Sequence, residues 1–105
     1  MSVQLHDRFT ERSGEVVITG VQSLVRLMLL QAERDREAGH KTAGFVSGYR
    51  GSPLGTVDMA FAAAAPLPEE AGIVVRPAVN EELAATMIAG TQQLDYSPGK
   101  RFDGV

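Results

Sequence analysis

The stretch Pro77-Ala78-Val79-Asn80-Glu81-Glu82-Leu83-Ala84-Ala85 marks the point where a strand-like run hands over to a helix. The β-branched Ile73-Val74-Val75 ends just before it. Leu83, Ala84, Met87, Ile88 and Leu94 then recur on one side of a 3.6-residue period. Asn80 stands at the junction as an N-cap, with Glu81 and Glu82 in the first turn. Ligands of open α/β sheets bind at the carboxyl ends of strands. An acid here is therefore either a cap that complements the helix dipole or a chemical group.

On either side of this junction, the chain alternates short apolar runs with helical patterns. Residues 1–14 are polar and aperiodic and read as an amino-terminal arm or loop lying over the domain. Glu15-Val16-Val17-Ile18-Thr19 reads as a first strand. Thr19 and Gln22 have capping-box spacing, so a helix starts at once and runs about 18 residues to Gly39, a crossover length. Thr42 to Ser47 reads as a second strand, with Gly44 allowing close approach of a neighbour.

The second strand leads into Gly48-Tyr49-Arg50-Gly51-Ser52-Pro53-Leu54-Gly55, a glycine-rich loop that serves either a plain turn or a ligand. Ser52 and Pro53 read as N-cap and first residue of the next helix, which Pro66 and Pro68 close. Gly72 to Arg76 is the third strand, Pro77 interrupts its ladder, and Pro98-Gly99 ends the last helix. Arg101 to Val105 approaches a fourth strand. The fold expected is α/β: a parallel sheet with helical crossovers over residues 15–105, truncated after three strand–helix units.

Composition narrows the function classes. A net charge of -3 gives no basic footprint for nucleic acid, and no apolar run approaches a membrane span. The expected location is cytoplasmic. Without cysteine the chain has no thiolate nucleophile, disulfide or iron–sulfur ligand. His6 and His40 stand far apart without a ligand-spaced companion, so no metal site is expected. The glycine loop is not G-x-G-x-x-G, because Arg50 takes the place of the second glycine.

The paired motifs, Ser47 to Gly55 and Val79 to Ala85 followed by Gly90-Thr91-Gln92-Gln93, together with Leu24-Val25-Arg26-Leu27, resemble the amino-terminal part of indolepyruvate ferredoxin oxidoreductase in its long single-chain form. The resemblance runs from about Asp7 to Val105. It implies the pyrimidine-binding domain of a thiamine diphosphate enzyme that oxidatively decarboxylates an aryl 2-oxoacid, indolepyruvate above all, to an acyl-CoA. The family's G-Y-P-G-T-P loop reads Gly48-Tyr49-Arg50-Gly51-Ser52-Pro53 here, with Arg50 for proline and Ser52 for threonine.

The resemblance assigns Glu81 to the cofactor's aminopyrimidine N1′ as the catalytic acid, and leaves Glu82 as the helix-cap acid. It implies that Asn80, Gly51, Ser52 and Pro53 also meet the cofactor, and that Arg50 and Ser52 meet the substrate. A glutamate sharing a proton with N1′ favours the imino tautomer that can take the thiazolium C2 proton.

The same resemblance implies partners: the remaining domains of the parent enzyme, ferredoxin, coenzyme A and a homodimeric assembly. Mg²⁺ and iron–sulfur clusters would sit on domains outside this sequence, which makes the chain an expected fragment, inactive alone. The rivals are a thiamine enzyme without ferredoxin and a free-standing nucleotide-binding or regulatory α/β module.

Overall fold

The structure, a computed structural model, describes residues 4–105. The first three positions of the expected arm lie outside the described residues. The arm beyond them forms one helical turn, α1 (Asp7–Thr10), which buries Phe9. Helix α2 (Gly20–Glu37) is the spine of the molecule. Thr19 caps it by accepting from Gln22 N while the Gln22 side chain accepts from Thr19 N, the reciprocal pair expected from the spacing. Gly39, at φ +84°, lets the chain leave its far end.

Two strands follow in parallel, β1 (Gly44–Val46) and β2 (Ile73–Val75), in the register Gly44↔Ile73, Phe45↔Val74, Val46↔Val75. Between them lie α3 (Val57–Ala63) and the short α4 (Leu67–Glu70), and α5 (Glu81–Thr91) comes after β2. A single parallel bridge, Thr42↔Gly104, with Ala43 N donating to the Gly104 carbonyl, brings the final segment along the other side of β1. The chain is thus mixed α/β with a small parallel sheet.

Some local expectations give way. Glu15 to Thr19 forms no strand; it makes no strand pairing among the described residues and leaves Val17 92% exposed. Strand preference measures how well a side chain packs against neighbouring strands, and none lies alongside. The sheet therefore has two strands, not the three that three strand–helix units require.

Ser52 and Pro53 do not start α3. Residues 52–56 form successive turns, with Gly55 N donating to the Ser52 carbonyl, and Thr56 takes the cap position without a side-chain bond. The loop folds so tightly that a Cβ on Gly55 would run into the Arg50 carbonyl. Helix α5 stops at Thr91, short of Pro98-Gly99, and Leu94 falls in a separate 3₁₀ turn, Leu94–Tyr96. The Thr91 hydroxyl bonds the Ile88 carbonyl in its own last turn.

The core is one cluster: Phe9, Val25, Leu29, Phe61, Ala64 and Ile73. It lies where α1, α3, α4 and β2 meet α2. It is thin. The chain measures 49 × 38 × 17 Å with a radius of gyration of 14.9 Å, against about 13 Å for a compact domain of its length. It exposes 7576 Å², where a compact monomer of this mass exposes about 5700 Å².

Two polar pins hold the edges. Arg26 donates to the Arg8 carbonyl and Arg12 pairs with Glu33, tying α1 to α2. The Thr42 hydroxyl donates to Asp35 Oδ2 at 2.7 Å, tying the approach to β1 back onto α2.

Phe61→Ala should cost about 3–5 kcal/mol by emptying the core, enough to unfold much of the population in urea-free buffer. Val17→Ala should stay within about 0.5 kcal/mol, as an unpaired surface position would. Urea titrations of both compare them directly; a large Val17 effect would restore the strand. A second expectation concerns acid. The Thr42 hydroxyl, then Gln31, hold the Asp35 carboxyl below its ordinary range. A carboxyl lowered in the folded state adds stability above its unfolded value, about 3.9, and loses it as pH falls through the folded one. The stability gap between native chain and Thr42→Val should therefore be present at neutral pH and close on acidification. A gap independent of pH rules this linkage out.

Candidate functional site

The two strands end side by side, and the segments beyond them are laced together. The Ser47 hydroxyl donates to the Arg76 carbonyl at 2.7 Å, and Ala78 N donates to the Gly48 carbonyl at 2.7 Å, so contact resumes just beyond Pro77. The loop after β1 and the turn after β2 therefore share one cleft of about 480 Å³ at the carboxyl ends of the strands. Its walls are Leu24 of α2, Val46 and Val75 from the strand ends, and Pro53, Leu54 and Val57 from the loop and α3. Polar groups converge from Ser47, Ser52, Asp58 and Glu81.

Asn80 acts as foreseen. Its Oδ1 accepts from Leu83 N at 2.8 Å, in extended backbone, and so starts α5. That cap orients the first turn. Successive helical residues are about 100° apart, so only one of two adjacent acids can face a given wall. Glu81 lines the cleft and Glu82 does not. Both are solvent-exposed.

The remaining expected residues divide. Ser52 and Pro53 line the cleft, and the half-buried Ser52 hydroxyl has no hydrogen-bond partner among the described residues. Gly51 is not on the wall; the Tyr49 ring lies over it, where a Cβ would come 2.7 Å from Tyr49 Cε2. Asn80 is spent on its cap. Arg50 faces a neighbouring groove, 85% exposed, with Nε 3.3 Å from Asp58 Oδ2. Leu24, Val46, Val57, Asp58 and Val75 are among the cleft residues that sequence reasoning did not assign to the site. Leu24 reads as ordinary helix periodicity, and no spacing rule connects Asp58 to Arg50.

Among the described residues no cluster of three or more His, Cys, Asp or Glu side chains could hold a metal ion. No described helix is long and apolar enough to cross a membrane. Comparison with protein families, curated proteins and solved structures finds no match for this chain.

Asn80→Ala should cost about 0.5–2 kcal/mol and selectively speed hydrogen exchange of the Leu83 amide. If that amide keeps its protection, the cap is not what sets the first turn.

Proposed function

We propose that this chain supplies the pyrimidine-binding part of a thiamine diphosphate site in a 2-oxoacid:ferredoxin oxidoreductase acting on an aryl 2-oxoacid such as indolepyruvate. The observation that carries the reading is the meeting of Glu81 with the Ser47–Gly55 loop in one cleft, while Glu82 stays out of it. The cleft's volume of about 480 Å³ lies within the usual range for small-ligand sites, roughly 300–1,000 Å³.

The residues fit the group they would hold. An aminopyrimidine ring needs flat apolar cover and one acid at its edge. Leu24, Val46, Val75, Leu54 and Pro53 give apolar walls, and Glu81 gives the carboxyl. Bound thiamine diphosphate supplies a carbon nucleophile able to attack the 2-oxoacid's carbonyl. Glu81, in the first turn of α5 at the cleft wall, would hold the proton shared with the pyrimidine edge. The Ser52 hydroxyl is available to orient a polar substrate group. Arg50 gives one N–H to Asp58 from an exposed position on the neighbouring groove, so a substrate carboxylate in the cleft would require its side chain to turn.

The reading requires other components. Diphosphate and Mg²⁺ need a second domain, and electrons need iron–sulfur clusters on their way to ferredoxin. This cysteine-free sequence offers no thiolate for the clusters. Coenzyme A and a homodimeric assembly belong to the same proposal. The finer fold assignment, a pyrimidine-binding domain, stands or falls with it.

Calorimetric titration with thiamine diphosphate, ATP and NAD distinguishes this reading from a nucleotide-binding or regulatory module, which alone should bind the last two. In the enzyme assembled with its diphosphate-binding domain, Glu81→Gln should slow C2–H exchange of the cofactor by about 10²-fold, the lower range for general acid–base groups. Glu82→Gln should cost only about 0.3–1 kcal/mol of helix stability. Equal effects of the two substitutions on exchange would remove Glu81 from the role.

A further inference from the structure

The register that joins β1 to β2 leaves the outer side of β2 with nothing to bond. Gly44 N donates to the Gly72 carbonyl and Arg76 N to the Val46 carbonyl, so it is Val74 whose main chain faces β1. The N–H and C=O groups of Ile73 and Val75 point the other way. Among the described residues none pairs with them. A groove of about 520 Å³ runs beside this edge, between Ile73 to Pro77 and Phe61 of α3, Ala65 of the following turn and Pro68 of α4.

An open edge with free main-chain groups is a template for another strand. We propose that two copies of this chain pair antiparallel along β2, about a twofold axis through Val74. Ile73 and Val75 face outward two residues apart, so an antiparallel copy sets Ile73 opposite the second copy's Val75. Each of the two symmetry-related pairs then exchanges both of its main-chain hydrogen bonds. Val74, 42% exposed, meets its own counterpart in the close, non-hydrogen-bonded position, about 4.5 Å between Cα atoms. The closed twofold arrangement uses the same patch on both copies.

Charge agrees with this register. Arg76 falls opposite the second copy's Gly72, which follows Glu69 and Glu70 and whose N–H bonds the Glu69 carbonyl. Arg76, Glu69 and Glu70 are all exposed and make no ion pair among the described residues. Pairing brings each guanidinium to the other copy's acids. Each copy exposes roughly 1900 Å² more than a compact monomer of its mass, more than the about 800 Å² that one partner gives to a standard interface.

The chain's lack of cysteine makes the register measurable. Val74→Cys would place two thiols on the axis, within the disulfide range of roughly 4.4–6.8 Å between Cα atoms. Under mild oxidation it should form a covalent dimer at least about tenfold faster than Val17→Cys, an exposed thiol away from the edge. Equal rates overturn the pairing. In light scattering the native chain should be dimeric at micromolar concentration and Val74→Lys monomeric. Arg76→Glu should weaken the dimer about tenfold, and adding Glu69→Arg should restore it. A monomeric native chain overturns the proposal, as does a dimer indifferent to Val74→Lys or one whose charge reversal shows no rescue.

Discussion

A Cβ at position 44 would lie 3.0 Å from Ile73 Cγ1 and 3.1 Å from Met28 Cε. The contact is tighter than side chains ordinarily allow, and only the missing side chain of Gly44 lets β1 settle against β2 and α2 together. The rest of the architecture depends on that approach. With Gly44 opposite Ile73, Val46 stands opposite Val75, and the strands finish level. Level ends are what allow Ser47 and Gly48 to bond the Arg76 and Ala78 main chain. A larger residue at 44 would push Ile73 out of the core or tilt β1, and either change would separate the loop from the turn that carries Glu81.

The features legible in the sequence were those fixed within a few residues. The Thr19–Gln22 capping box and the Asn80 cap need only a short-range match of side chain to amide, and both formed. Gly44 and Gly39 were legible because only glycine tolerates a near-contact or a positive φ. The errors came where distant contacts decide. Val16, Val17 and Ile18 have strand-forming side chains, but a strand exists only beside another, and no rule of spacing supplies the neighbour. Ser52-Pro53 has the chemistry of a helix start, yet the packing of Gly55 on the Arg50 carbonyl directs the chain into turns first. Leu94 fell on the expected face of a helix that had already ended at Thr91.

The site was legible to the same extent. One acid at a capped helix start was readable; that the glycine loop would close over the same cleft was not, because it depends on the parallel register of strands 29 positions apart. The exposure of Glu81 shows what geometry alone leaves unfinished. Desolvation of a carboxyl needs burial, and this chain's own packing leaves Glu81 open to solvent. Position at the cleft and shielding from water are therefore separate requirements here.

The thinness of the molecule joins these observations. A small parallel sheet satisfies its main chain only by neighbours on both sides, and its apolar faces only by cover. Here β1 and β2 pair only with each other, the bridge to Gly104 lies ahead of β1 at Thr42, and α2 covers a core whose one fully buried larger side chain among the described residues is Val25. The unmet demand is concentrated around β2: its outer edge is open, Val74 is half exposed, and Val75 and Pro77 serve both the cleft and the neighbouring groove. Any strand added to that edge would immobilise Val75 from its main chain while leaving the Glu81 side of the cleft accessible. Edge and cleft therefore share Val75 and Pro77, and occupation of the edge would stiffen the base of the site without filling it.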